Sequence, residues 1–184
     1  MNEHEEPRIG VFVCHCGVNI GSVVNVPEVV EYAKALPNVV HTEGNLYMCS
    51  SEGLSKIKEA IVKYQLNRVV VASCTPRTHE PLFRVACEEA GLNKYLFHMA
   101  NIREHCSWVH SHEPKKATEK AKEIIRMGVA KAALLKPQTE PEIDVQPSAL
   151  VIGGGVAGMT AALILRIRNS LSILLKRKMN LAED

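Results

Sequence analysis

The sequence predicts an α/β fold: a mostly parallel, Rossmann-like sheet with cysteines at the carboxyl ends of its strands, followed by a second, short βα unit. Three observations carry this. Short runs rich in Val, Ile, Leu and aromatics alternate with stretches of helical spacing at about thirty residues per unit, the period of βαβ crossovers. Of the six cysteines, all but Cys87 fall where such a run gives way to a turn or helix. Late in the chain, a glycine-rich run follows one more apolar strand.

In chain order, Ile9 to Val13, part of Val39 to Met48, Arg68 to Ala72 and Tyr95 to Met99 read as strands. Between them, Val26 to Leu36 carries Pro27 in its first turn, and Ser51 to Tyr64 sets Leu54, Ile57, Ile61 and Val62 on one stripe. Glu80 to Ala90 has Pro81 near its start and Gly91 just past its end, the usual punctuation of a helix. Lys115 to Leu135 continues as an amphipathic helix, with Ile124, Ile125, Met127, Val129 and Leu134 between lysines. The three prolines of Pro137 to Pro147 mark an extended linker. The expected organisation is therefore an α/β domain over 1–136, a linker over 137–148 and a βα stub over 149–184.

Composition sets the limits. In 184 residues, 46% hydrophobic and 23% charged content is that of an ordinary soluble domain. A net charge of +2 and 4% aromatic residues give no basic, aromatic-lined groove for nucleic acid. The acidic start, Met1 to Arg8, is the opposite of a secretory leader, so a cytoplasmic location is expected. Thiols stay reduced there, and the cysteines point to metal or redox chemistry before disulfides.

In a parallel sheet, ligands bind outside the carboxyl ends of the strands, so Cys14, Cys16, Cys49, Cys74 and Cys106 are the candidate metal ligands. An iron-sulfur cluster needs several thiolates, usually four, and separate loops can supply them. Cys14 and Cys16 face one side if the backbone is extended, and Gly17 lets it turn tightly. Cys49 precedes a helix, whose N–H groups favour a thiolate, and Cys74 is followed by Thr75, Pro76 and the cation of Arg77. Zinc is the rival ion, because His15, His79 and His105 adjoin the group. Cys87 sits within a helical stripe and reads as core.

The run Leu150 to Gly158 follows the dinucleotide fingerprint. Gly153 makes the tight turn, Gly155 admits a pyrophosphate, and Gly158 allows close helix packing, with Gly154, Val156 and Ala157 completing the loop. The uncharged stretch from Ser148 to Leu165 is near the lower limit of a membrane span, but glycines at phosphate-loop spacing favour the nucleotide reading, so no span is expected. The expected ribose-binding acid is missing; Lys176 to Lys178 stand near its position, and the expectation is a truncated or frame-shifted product with an incomplete site. No acid-base pair stands out, and no catalytic residue is nominated.

The runs Gly10 to Gly17, Tyr47 to Ser50, Ala72 to Pro81 and Ala100 to His110 resemble the N-terminal part of the A subunit of heterodisulfide reductase, an iron-sulfur flavoprotein of methanogenic archaea and some anaerobic bacteria. The resemblance covers residues 8 to about 165. It implies an electron-transfer role within an oxidoreductase, a [4Fe-4S] cluster on the N-terminal cysteines and an FAD phosphate loop at Gly153 to Gly158. It also implies other reductase subunits and ferredoxin or hydrogenase-type electron carriers as partners. The chain lacks the family's ferredoxin-type cysteine runs and most of the FAD domain, so full turnover by this polypeptide alone is not expected. The alternative is a non-catalytic assembly or nucleotide-binding module whose cysteines pack or hold zinc.

Overall fold

The computed structural model describes residues 6–168 and 170–175. They divide into two units, 1–139 and 140–184, considered separately below.

In the first unit, β1 (Ile9–Cys14), β2 (Val39–Asn45), β3 (Arg68–Ser73) and β4 (Phe97–Asn101) form an all-parallel sheet in the order β2-β1-β3-β4. β1 and β3 are central and buried at every position, which is why their sequences are unbroken apolar runs rather than alternating ones. Two apolar cores result. Val11, Val13, Val70 and Ala72 pack with α2 (Val26–Lys34) and α5 (Pro114–Ala133) on one face; Phe12, Val69 and Val71 pack with α3 (Ser51–Lys63) and α4 (Pro76–Glu89) on the other. A single turn, α1 (Val18–Gly21), follows β1, and a π-helical turn, Arg103–Ser107, follows β4.

The α/β class and the parallel sheet are as the sequence predicts; several boundaries move. β2 stops at Asn45, so Met48 belongs to the turn before α3 rather than to a strand. β4 begins at Phe97, because Asn93 turns the chain by accepting from the Tyr95 N–H through its side chain and from the Leu96 N–H through its backbone. α4 starts at Pro76, with Thr75 as its cap accepting from the Arg77 N–H, so Pro81 lies inside the helix instead of opening it. Ser50 caps α3 in the same manner through the Gly53 N–H, at 3.2 Å.

His98 of β4 is partly buried beside Gly128 of α5, where a methyl group would lie 3.2 Å from its ring. Burial, with the Lys131 charge, pushes its pKa down from 6.5 to about 4. Its neutral form is therefore the one the fold accepts: the associated stability is complete above pH 6.5 and is lost as pH falls toward 4. Glu28, Glu104 and Glu113 are held below 4.5, so their contributions decline only beneath that. Urea unfolding between pH 6.5 and 4.5 is expected to show a loss on the order of 1–2 kcal/mol that His98→Gln removes.

The second unit pairs β5 (Ser148–Ile152) with β6 (Leu171–Leu175) in parallel, with α6 (Val156–Ile167) as the crossover. α6 begins at Val156, which puts Val156 and Ala157 in its first turn rather than in the loop. Residues 136–147 are exposed and carry no regular structure. Lys176 to Lys178 lie outside the described residues. Among the described residues no helix is long and apolar enough to cross a membrane.

Candidate functional site

The strand order locates the site. From β1 the chain crosses by α2 to β2 on one side, whereas from β3 it crosses by α4, on the opposite face, to β4 on the other. The crevice outside the carboxyl ends of β1 and β3 is thus a topological switch point, where neither connection covers the strand ends. Cys14 ends β1 and Cys74 follows β3 directly. β2 ends level with Cys14 through the Cys14–Asn45 register, and the turn after it brings in Cys49.

Cys16 is not extended. Its φ is 48° and that of Gly17 is 57°, so the backbone reverses at once, the Asn19, Ile20 and Gly21 N–H groups bonding back to the Cys16 and His15 carbonyls. A left-handed non-glycine residue is costly and is kept only where its surroundings hold it. The turn folds the Cys16 N–H onto Cys14 Sγ at 3.2 Å, and the Met48 N–H approaches the same sulfur at 3.4 Å. Two backbone donors aimed at one sulfur suit a thiolate.

The four thiols form an electrostatic group. Burial pushes Cys14 up to about 11, against the lowering pull of the Met48 and Cys16 N–H groups, and charge on Cys16 or Cys49 adds to the rise. Burial also raises Cys74, which feels Cys16 and Cys49 as well, while the Arg103 guanidinium opposes the rise. Metal-free thiols at Cys14 and Cys74 are thus protonated, and loading a metal must expel those protons.

Cys106 stands apart. It is fully buried in the other core, with Ala117, Ala121 and Ile125, and its Sγ donates to the Ala117 carbonyl at 3.0 Å. Burial pushes it up to about 11, and the charge it feels is Lys120. Cys87 is buried against α4's own core with its pKa pushed up to about 12. Among the histidines, the His15 ring lies against Gly21 and Gly44, His79 is within α4 and His105 is exposed. Among the described residues, no three His, Cys, Asp or Glu side chains stand close enough to hold a single metal ion.

Sequence reasoning passes over the charged part of the site. Arg103 Nη1 donates to Cys16 Sγ at 3.2 Å, while its Nε and Nη2 donate to Glu104 Oε1 at 3.1 and 2.7 Å. Burial works against the Arg103 charge, but its bonds to Glu104 and Cys16 outweigh that and hold its pKa above the ordinary value. Asn101 fixes the turn by accepting from the Arg103 and Glu104 N–H groups. The visible signal is the Arg103-Glu104 pair, three and two residues before Cys106.

In the second unit, Gly153 has φ 118° and leads to Gly155, the cap of α6. Space is open around Gly155, but a methyl group on Gly158 would overlap the Gly153 carbonyl oxygen. This is a strand, tight turn and helix N-terminus, the local geometry of a phosphate loop. Gly158→Ala is expected to force this turn apart, seen as faster hydrogen exchange at the Gly153 and Gly155 amides than in the wild type.

No protein-family model matches the chain. A protein from Archaeoglobus profundus, named as like the A subunit of heterodisulfide reductase, is 60% identical over 159 residues, covering 86% of this chain and 23% of that protein. The second of two iron-sulfur A subunits of the CoB–CoM heterodisulfide reductase of Methanopyrus kandleri is 62% identical over 159 residues, 86% of this chain and 24% of its own length. A third relative, the A subunit of the H(2):CoB-CoM heterodisulfide,ferredoxin reductase of Methanothermobacter marburgensis, is 59% identical, again with 24% of its length matched. The chain thus spans about a quarter of these relatives.

Proposed function

The chain is a homologue of the heterodisulfide reductase A subunit along most of its length, and from that premise we propose that its first unit is the cluster-bearing, electron-transfer part of an iron-sulfur flavoprotein oxidoreductase. Cys14, Cys16, Cys49 and Cys74 would hold a [4Fe-4S] cluster, with Cys106 outside the ligand set. The carrying observation is that three parallel strand ends bring four thiols to one switch point, where the Cys16, Met48 and Arg103 N–H groups are aimed at sulfur. Soft, buried sulfur donors with hydrogen bonds to them suit such a cluster. When bound, the cluster supplies one-electron acceptance and release. The protein's own work is to hold the thiolates, keep the Cys14 and Cys74 side dry and present the half-buried Cys16 and Cys49 toward the surface.

The second unit would cradle the pyrophosphate of FAD with Gly153, Gly154, Gly155, Val156, Ala157 and Gly158. Partners would be the other subunits of such a reductase and an electron carrier of the ferredoxin class, a word that appears in the names of several relatives. The test is iron and acid-labile sulfide on anaerobically purified protein, with electron paramagnetic resonance after reduction. About four irons and equal sulfide per chain are expected; zinc, or folded protein without metal, would overturn the reading.

A further inference from the structure

We propose that Arg103 sets the reduction potential of the cluster by donating a fixed, charged hydrogen bond to the Cys16 thiolate, an inference that rests on the cluster reading above. The guanidinium is held in place without any metal. Glu104 Oε1 takes two of its donors at 3.1 and 2.7 Å, and the Trp108 ring lies 4.8 Å beneath its Cζ. The turn carrying it is pinned by Asn101 Oδ1, which accepts from two successive N–H groups at 3.1 and 3.0 Å. Its remaining arm, Nη1, reaches the Cys16 sulfur at 3.2 Å.

Such a π-helical turn is an uncommon structure that recurs at functional sites. Here it projects a cation from the end of β4 toward the end of β1, two strands away in the order β2-β1-β3-β4. Reduction adds one electron to the cluster and makes its thiolates more negative. A donor and positive charge already in place stabilise that state more than the oxidised one, so the potential rises. Glu104 takes the far side of the guanidinium, and one of its carboxylate oxygens is buried with no hydrogen bond among the described residues. That carboxylate moderates the effect: it positions the arginine and partly offsets its charge. Arg103 is thus a positioning and tuning residue, not a ligand.

The test is an anaerobic redox titration, followed by electron paramagnetic resonance, of the wild type and of Arg103→Met, Arg103→Lys and Glu104→Gln, each with its iron and sulfide content. Arg103→Met is expected to load as much iron as the wild type. At the wild-type midpoint its reduced-to-oxidised ratio should fall about tenfold, equivalent to 59 mV for a one-electron couple. Arg103→Lys should recover most of that loss, and Glu104→Gln should shift the ratio the other way. A loaded Arg103→Met cluster with an unchanged midpoint overturns the inference. If Arg103→Met fails to load, Glu104→Gln decides: a raised midpoint supports the inference, and an unchanged or lowered one overturns it. A wild type without iron overturns the cluster reading, and this inference with it.

Discussion

Replacement of Cys14, Cys16, Cys49 or Cys74 by serine is expected to remove essentially all iron and sulfide from the purified protein, whereas Cys106→Ser should retain the full complement. The contrast follows from what each sulfur is committed to. Cys14 and Cys74 belong to the core beneath α3 and α4, Cys49 packs against that core, and Cys16 packs against both cores at the sheet's end. The Cys106 sulfur is instead committed to the Ala117 carbonyl in the core beneath α5. A serine hydroxyl can donate to the same carbonyl, so the substitution should cost only about 1 kcal/mol of stability by urea unfolding. Iron lost from Cys106→Ser and kept in Cys49→Ser would reverse the proposed ligand set.

A second large effect is expected at Gly53, which no chemistry singles out. An alanine there would drive its methyl into the Met48 carbonyl oxygen and place it 2.7 Å from the Met48 Cα and carbonyl carbon. Two effects compete. Replacing a helical glycine by alanine is worth about 1 kcal/mol in the variant's favour. Against it stands a clash with backbone that no rotamer relieves, which costs about 2–4 kcal/mol. The clash wins, and the strain falls on Met48 and Cys49. Gly53→Ala should unfold at lower urea concentration by about 2 kcal/mol and load less iron. A stabilised variant with normal iron would show that the turn before α3 yields easily.

Much of the first unit is legible in the sequence because β1 and β3 are covered on both faces and so read as continuous apolar runs. The strand-end cysteines are legible for the same reason. What sequence cannot carry is direction: Cys106 and Cys74 both follow strands, yet one turns under α5 and the other toward α3 and α4. Cys16 needs a left-handed backbone that its residue type does not announce, and only the following Gly17 hints at a turn. Pro81 attracts the start of α4 because proline favours first turns, but the capping Thr75 with Pro76 is the stronger signal. Arg103 escapes notice because its role depends on a sulfur 87 positions away in the chain.

The parallel sheet also dictates how this centre can be made. The proposed ligands run from Cys14 to Cys74, and parallel pairing needs a full crossover between each strand and the next. These four thiols are not brought to the same end of the sheet until β1, β2 and β3 have docked, an arrangement of non-local contacts that forms late in folding. The two apolar cores then hold the sheet together on their own, unlike a zinc finger, whose fold is its metal site. On the proposed ligand set, biogenesis would be ordered: the polypeptide folds first, and the cluster would be inserted afterwards, at a rim where Cys16 and Cys49 are only half-buried.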